Sequence, residues 1–211
     1  MTFRFVLPES RPLLGPPTVD GTGSIEWQIA TLRADYGRAS RLLIGIAATL
    51  VLVIAIFLVY GLVGAVGLAN PFAAVTAIPL AALGAGAAWL LLGLHRSGRR
   101  LSVALADRLS AAVGSGGSIA DVVLARTFIL EPFIVWRIAA ASLSLLFGVL
   151  SASIVFKPMS AGDPSEIALT AAAASIGALL IVVGCGVFGG VFRVHRAHSR
   201  RDPVQRRILG G

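Results

Sequence analysis

The sequence predicts an all-α integral membrane protein with four transmembrane helices, arranged as two helical hairpins with short amphipathic juxtamembrane helices. Three observations predict it. First, the stretch from Leu42 to Leu94 contains no Asp, Glu, Lys, Arg or His, and is more than twice the ~20 apolar residues that one spanning helix needs. Second, the chain is 56% hydrophobic and only 13% charged, with a mean hydropathy of +0.88, whereas a soluble domain carries about 25% charged residues. Third, two more apolar runs follow residue 131, separated by the polar turn Gly162-Asp163-Pro164.

Residues 1–23 carry Pro8, Pro12, Pro16 and Pro17 and are too rich in Pro and Gly for a helix. They read as an extended arm, solvated as termini usually are. Phe3, Phe5, Val6, Leu13 and Leu14 are apolar for a free tail, which leaves docking on this chain or on a neighbouring one as the alternative. Residues 24–41 predict an amphipathic helix with Ser24 as N-cap and Ile25, Ile29, Leu32 and Tyr36 on one stripe. Such a stripe, with Arg33, Arg38 and Arg41 near it, suits either a membrane surface or the chain's own polar connector.

The first hairpin covers residues 42–94 and breaks at Ala69-Asn70-Pro71, where Asn favours a turn and Pro has no N–H to donate. Residues 95–131 read as a connector with short helices. Its first helix has Leu101, Leu105 and Leu109 on one face and ends at Gly114-Ser115-Gly116-Gly117; its second starts with the capping pattern of Ser118 and Asp121. The second hairpin covers residues 132–192, with spans near 132–156 and 167–192, and residues 193–211 form a basic tail.

Arg and Lys number five before Leu42, five between His95 and Glu131 and six from Arg193 onward, whereas the two opposite turns together hold only Lys157. Positive charge marks the cytoplasmic side, so both termini are expected there, in the cytoplasmic membrane of a bacterium. The net charge of +8 comes from 17 Arg and one Lys. Because these residues flank apolar spans, the partner they imply is anionic lipid headgroups rather than nucleic acid. Arg96, Arg99 and Arg100 form one expected headgroup cluster, and Arg196, Arg200 and Arg201 the other.

Short matches recur in the same order: Gly23-Ser24-Ile25 with Gly117-Ser118-Ile119, Ile46-Ala47-Ala48 with Ile138-Ala139-Ala140, and His95-Arg96 with His195-Arg196. They suggest a tandem duplication of surface helix, hairpin and basic end; the alternative is that any two hairpins of this biased composition look alike.

No motif for catalysis, metal or nucleotide binding stands out, and no cofactor is expected. Arg137 invites two readings, snorkelling beside Trp136 or pairing with Glu131. His95 and His195 resemble haem ligands only in being two histidines near span ends, where solvated histidine is ordinary. The lone Cys185 leaves no disulfide within the chain. The small residues say more: Ser144, Gly148 and Ala152 form one row, and Gly186 with Gly190 a GxxxG pair. In lipid such rows let helix backbones approach closely, either within the protein or toward another subunit. These features lead to the expectation of a non-catalytic accessory or scaffold subunit that packs on other membrane protein subunits. The alternative is a homo-oligomeric transporter or pore component built from the duplicated hairpin.

Overall fold

The computed structural model describes residues 5–15, 24–67, 70–112, 131–157 and 163–199. Among the described residues the chain is 92% helical, without a strand. Two 3-10 turns, Pro8–Ser10 and Pro12–Leu14, precede α1 (Ile25–Tyr36), α2 (Ala39–Val66), α3 (Pro71–Ala111), α4 (Pro132–Ser153) and α5 (Pro164–Ser199). A 3-10 turn, Ile154–Phe156, extends α4.

The helix ends follow local chemistry. Ser24 Oγ accepts the Trp27 N–H at 3.3 Å and caps α1. Gly67 closes α2 at φ +79°, the left-handed conformation that L side chains avoid, and its N–H reaches the Val63 carbonyl. Asn70 Oδ1 then accepts the Phe72 N–H at 2.9 Å, with Pro71 in the first helical position of α3 where no N–H is required. Asp163 Oδ1 does the same for the Ser165 N–H at the start of α5. The stop at Gly114 to Gly117, the cap at Ser118 and the second-copy motif at Gly117 lie outside the described residues.

α3 does not end at the basic run beginning with His95. It continues as one helix of 41 residues to Ala111. Gly98 is the lone helix breaker between Leu94 and Ala111, and one interior glycine costs only ~1 kcal/mol, too little to stop a helix whose next turns are buried.

Four helical segments are long and apolar enough to cross a membrane: Ile25–Val66, Pro71–Ala111, Pro132–Phe156 and Pro164–Ser199. Their large apolar side chains are widely exposed, Val75 and Ile78 at 69% and Trp136 at 67% among them. Water does not tolerate such contiguous apolar faces, whereas lipid does, and the helices fit a multi-pass membrane protein.

The chain forms two compact units, residues 42–93 with 140–186, and the rest. In the apolar unit small residues set the contacts. A Cβ on Gly84 of α3 would meet Ala55 of α2 at 3.3 Å, and one on Gly64 of α2 would meet Ala168 of α5 at 2.7 Å. Gly148 of α4 and Gly177 of α5 meet backbone to backbone: a Cβ on Gly177 would lie 2.8 Å from the Ala152 amide nitrogen and 2.9 Å from the Gly148 carbonyl oxygen. Within this unit these approaches join α3 to α2, α2 to α5 and α5 to α4.

The other unit has a core of Val6, Leu13, Leu32, Tyr36, Leu101, Leu105, Leu109, Ile134 and Val194 with their neighbours. The arm is thus not a solvated tail over its described part. Val6 and Leu13 are buried at 3% and 4% exposure, and Leu14 packs against the same cluster. Pro8 and Pro12 each open one of the two tight turns that carry this segment. Phe5 is half-buried, while Phe3 lies outside the described residues. The α1 stripe belongs to this core too: Leu32 and Tyr36 are buried against the chain's own helices.

Candidate functional site

The core of this second unit is bordered by charged side chains that tie its segments together. Arg108 of α3, only 2% exposed, donates from Nε to Gln28 Oε1 of α1 at 2.9 Å. Its terminal nitrogens reach the Gly15 carbonyl of the arm at 3.4 and 3.5 Å. Asp35, fully buried, accepts the Leu7 N–H at 3.0 Å and faces Arg41 at 3.9 Å and Arg38 at 4.0 Å. Arg41 in turn donates to Ser97 Oγ of α3 at 2.7 Å. Buried charge is tolerated here because each group has an opposite charge or a hydrogen-bond partner.

The pairing of Arg137 with Glu131 is corrected by its geometry. It donates to the Tyr36 carbonyl and lies over the Tyr36 ring, 4.3 Å from the centroid, an arrangement that combines a charge-assisted hydrogen bond with a cation–π contact. Glu131 pairs instead with Arg33 of α1. Residues 131 and 137 are six apart, which places them on different faces of a helix, so they do not meet.

An open groove of about 410 Å³ runs between α3 and α5 within this unit. Val103, Ala106, Asp107 and Ser110 line it from α3; Gly189, Phe192, Arg193, Arg196 and Ala197 line it from α5. Both sets recur at three- and four-residue spacing and form one wall each. Ser102 Oγ accepts from Arg193 at 2.8 Å and donates to the Arg99 carbonyl at 2.9 Å, which orients the guanidinium. Arg196 is exposed, and no ion pair joins Asp107 to Arg193 or Arg196 among the described residues. A Cβ on Gly189 would meet nothing within 4 Å, so the groove is open at that point.

Of the expected headgroup residues, Arg96, Arg99 and Arg100 are exposed on α3 and Arg196 lines the groove, while Arg200 and Arg201 lie outside the described residues. Of the expected packing residues, Gly148 and Ala152 stand at the α4–α5 approach, Ser144 and Gly186 are half-buried, and Gly190 faces the Tyr36 hydroxyl, which a Cβ would meet at 3.3 Å. Sequence reasoning missed Gly177 and Gly184, whose spacing of seven puts them on one helix face without a GxxxG match. It also missed Asp35 and Arg108. A signal existed for Asp35, since Gln28, Leu32 and Asp35 share a face and an acid inside a buried stripe needs a partner. His95 is exposed, whereas His195 Nδ1 is buried.

No family model, curated protein or solved structure matches this chain. The functional reading therefore rests on its own residues.

Proposed function

We propose that the chain is a non-catalytic subunit of a membrane assembly, an accessory or scaffold component with four spanning helices and a basic unit cross-tied by its own arginines. The observation that carries this reading is the use of charge. Arg33, Arg41, Arg108, Arg137 and Arg193 each hold one segment of the chain to another. A charge held this way fixes geometry, which suits a docking component. In this reading the spans form two hairpins with α1 beside the membrane, and the excess of Arg places both termini on the cytoplasmic side of the cytoplasmic membrane. Duplicated hairpins would be related by an axis along the membrane normal. Isolation from native membranes in mild detergent tests it: the full chain should co-purify with foreign membrane protein chains in fixed proportion.

A second reading, an oligomeric transporter or pore component, draws on Pro79 in the interior of α3, which removes one helical hydrogen bond and provides a point of bending. Recovery with copies of itself alone would favour this second reading and overturn the first.

A further inference from the structure

We infer that the α3–α5 groove binds a phosphate ester that also carries a primary amine, in the form of a phosphoethanolamine lipid headgroup. The inference rests on the chain being a membrane protein and is independent of its being a subunit. Its basis is a groove with basic side chains on one wall and an acid on the other, with no ion pair across it among the described residues. Arg193 and Arg196 stand on one wall, Asp107 on the other, and they do not pair with each other. Ser102 engages one terminal nitrogen of Arg193 and fixes the plane of the guanidinium without neutralising it. Arg196 is exposed and, among the described residues, forms no ion pair.

The sign of each wall selects the ligand. A phosphate accepts hydrogen bonds from two guanidinium groups, the pairing that suits their planar fork. A purely anionic headgroup would then lie against the Asp107 carboxylate, which repels it. An ammonium separated from the phosphate by a short linker meets Asp107 instead, and its N–H groups donate to the carboxylate. A quaternary ammonium carries the same charge but has no N–H to donate. Ser110 adds a hydroxyl beside Asp107, and exposed Phe192 and Val103 provide apolar contact for the glycerol and the first methylenes of an acyl chain.

The depth along α5 agrees. About 20 residues from Ile167 cover a hydrocarbon core of ~30 Å and end near Gly186. Arg193 and Arg196 follow ~10 and ~15 Å further on at ~1.5 Å per residue, within reach of headgroups for side chains of this length. This gives Arg196 a narrower role than general attraction to anionic lipid.

Native mass spectrometry of the full chain in mild detergent, titrated with phosphatidylethanolamine, phosphatidylglycerol or phosphatidylcholine, tests the assignment. The wild-type chain should hold phosphatidylethanolamine about tenfold more tightly than either of the others. Arg196→Gln should weaken phosphatidylethanolamine about tenfold, as one charged donor is lost. Asp107→Asn should bring phosphatidylglycerol level with or above phosphatidylethanolamine. Gly189→Leu should abolish the preference by filling the groove, and the open space around its Cβ lets the fold accept it. A wild-type chain that holds the three lipids equally, or an Asp107→Asn chain with an unchanged ratio, overturns the inference. Displacement of the lipid by millimolar O-phosphoethanolamine or inorganic phosphate would assign the groove to a soluble phosphate and overturn the lipid assignment. Failure of the membrane reading itself shows separately, as recovery of the chain from the aqueous fraction without detergent.

Discussion

Leu13→Ala tests whether the arm belongs to the core. Leu13 sits on the second 3-10 turn at 4% exposure and packs in the cluster with Leu32, Leu105 and Leu109. Replacing a buried leucine by alanine costs about 2–5 kcal/mol, least where the site can collapse around the gap. A three-residue turn can move inward more readily than a long helix, which points to the lower part of that range, ~2–3 kcal/mol. At ~1.4 kcal/mol per factor of ten, the opening equilibrium of the arm rises by ~30- to ~140-fold. Hydrogen exchange reads this directly. The amides of Leu7, Ser10 and Leu14 donate to Asp35 Oδ2, the Leu7 carbonyl and the Leu14-side turn carbonyl of Arg11, at 3.0, 3.0 and 3.2 Å, so all three should exchange faster by that factor. Leu50→Ala, at a position 57% exposed on α2, is the control and should leave them unchanged. A change below ~5-fold, equivalent to ~1 kcal/mol, would refute the reasoning and return the arm to a loosely attached tail.

Gly177→Ala should destabilise the apolar unit by about 1–3 kcal/mol in detergent unfolding, because its Cβ would press on backbone atoms at Ala152 and Gly148 that cannot give way; Gly45→Ala, in open space, should be neutral or stabilising by up to ~1 kcal/mol. Arg108→Met should lower stability by about 1.5–3 kcal/mol in the same assay through loss of the charged bond to Gln28, with increased chymotryptic cutting at Phe5 as a second sign. Hydrogen bonds from Ser165 to Asp163 hold that carboxyl below its ordinary value. A depressed pKa means that the support it lends to the start of α5 is complete above the usual carboxylate range and is lost as pH falls through the lowered value; the Asp163 carboxyl carbon shift should titrate below that of free Asp, and Ser165→Ala should move the midpoint up. For topology, in a Cys185→Ala background, an impermeant thiol reagent on intact cells should label Lys157→Cys and spare Arg99→Cys, both exposed positions; the reverse pattern would invert the proposed orientation.

The sequence by itself determined that the chain is helical and that it carries four helices long and apolar enough to cross a membrane. An uncharged run such as Leu42 to Leu94 has few outcomes, because backbone groups in lipid must be satisfied within the helix. The break at Asn70-Pro71 and the Ser24 cap were legible too, since each depends on the chemistry of adjacent residues. Only the tertiary structure decided where the arm goes, which acid meets which arginine, and which small residues touch. Leu7 meets Asp35 across 28 positions, and Arg108 meets Gln28 across 80. Arg33 takes the Glu131 that the sequence had offered to Arg137. Composition shows that an arginine will find a partner, but not which one, because 17 arginines of equal charge compete for few acids. The choice is made by helix rotation and depth, properties of the packed chain. The same holds for the α3–α5 groove: Asp107 and Arg193 are far apart in sequence and ordinary when read singly, and they line one groove only because α3 continues past its basic run instead of ending there.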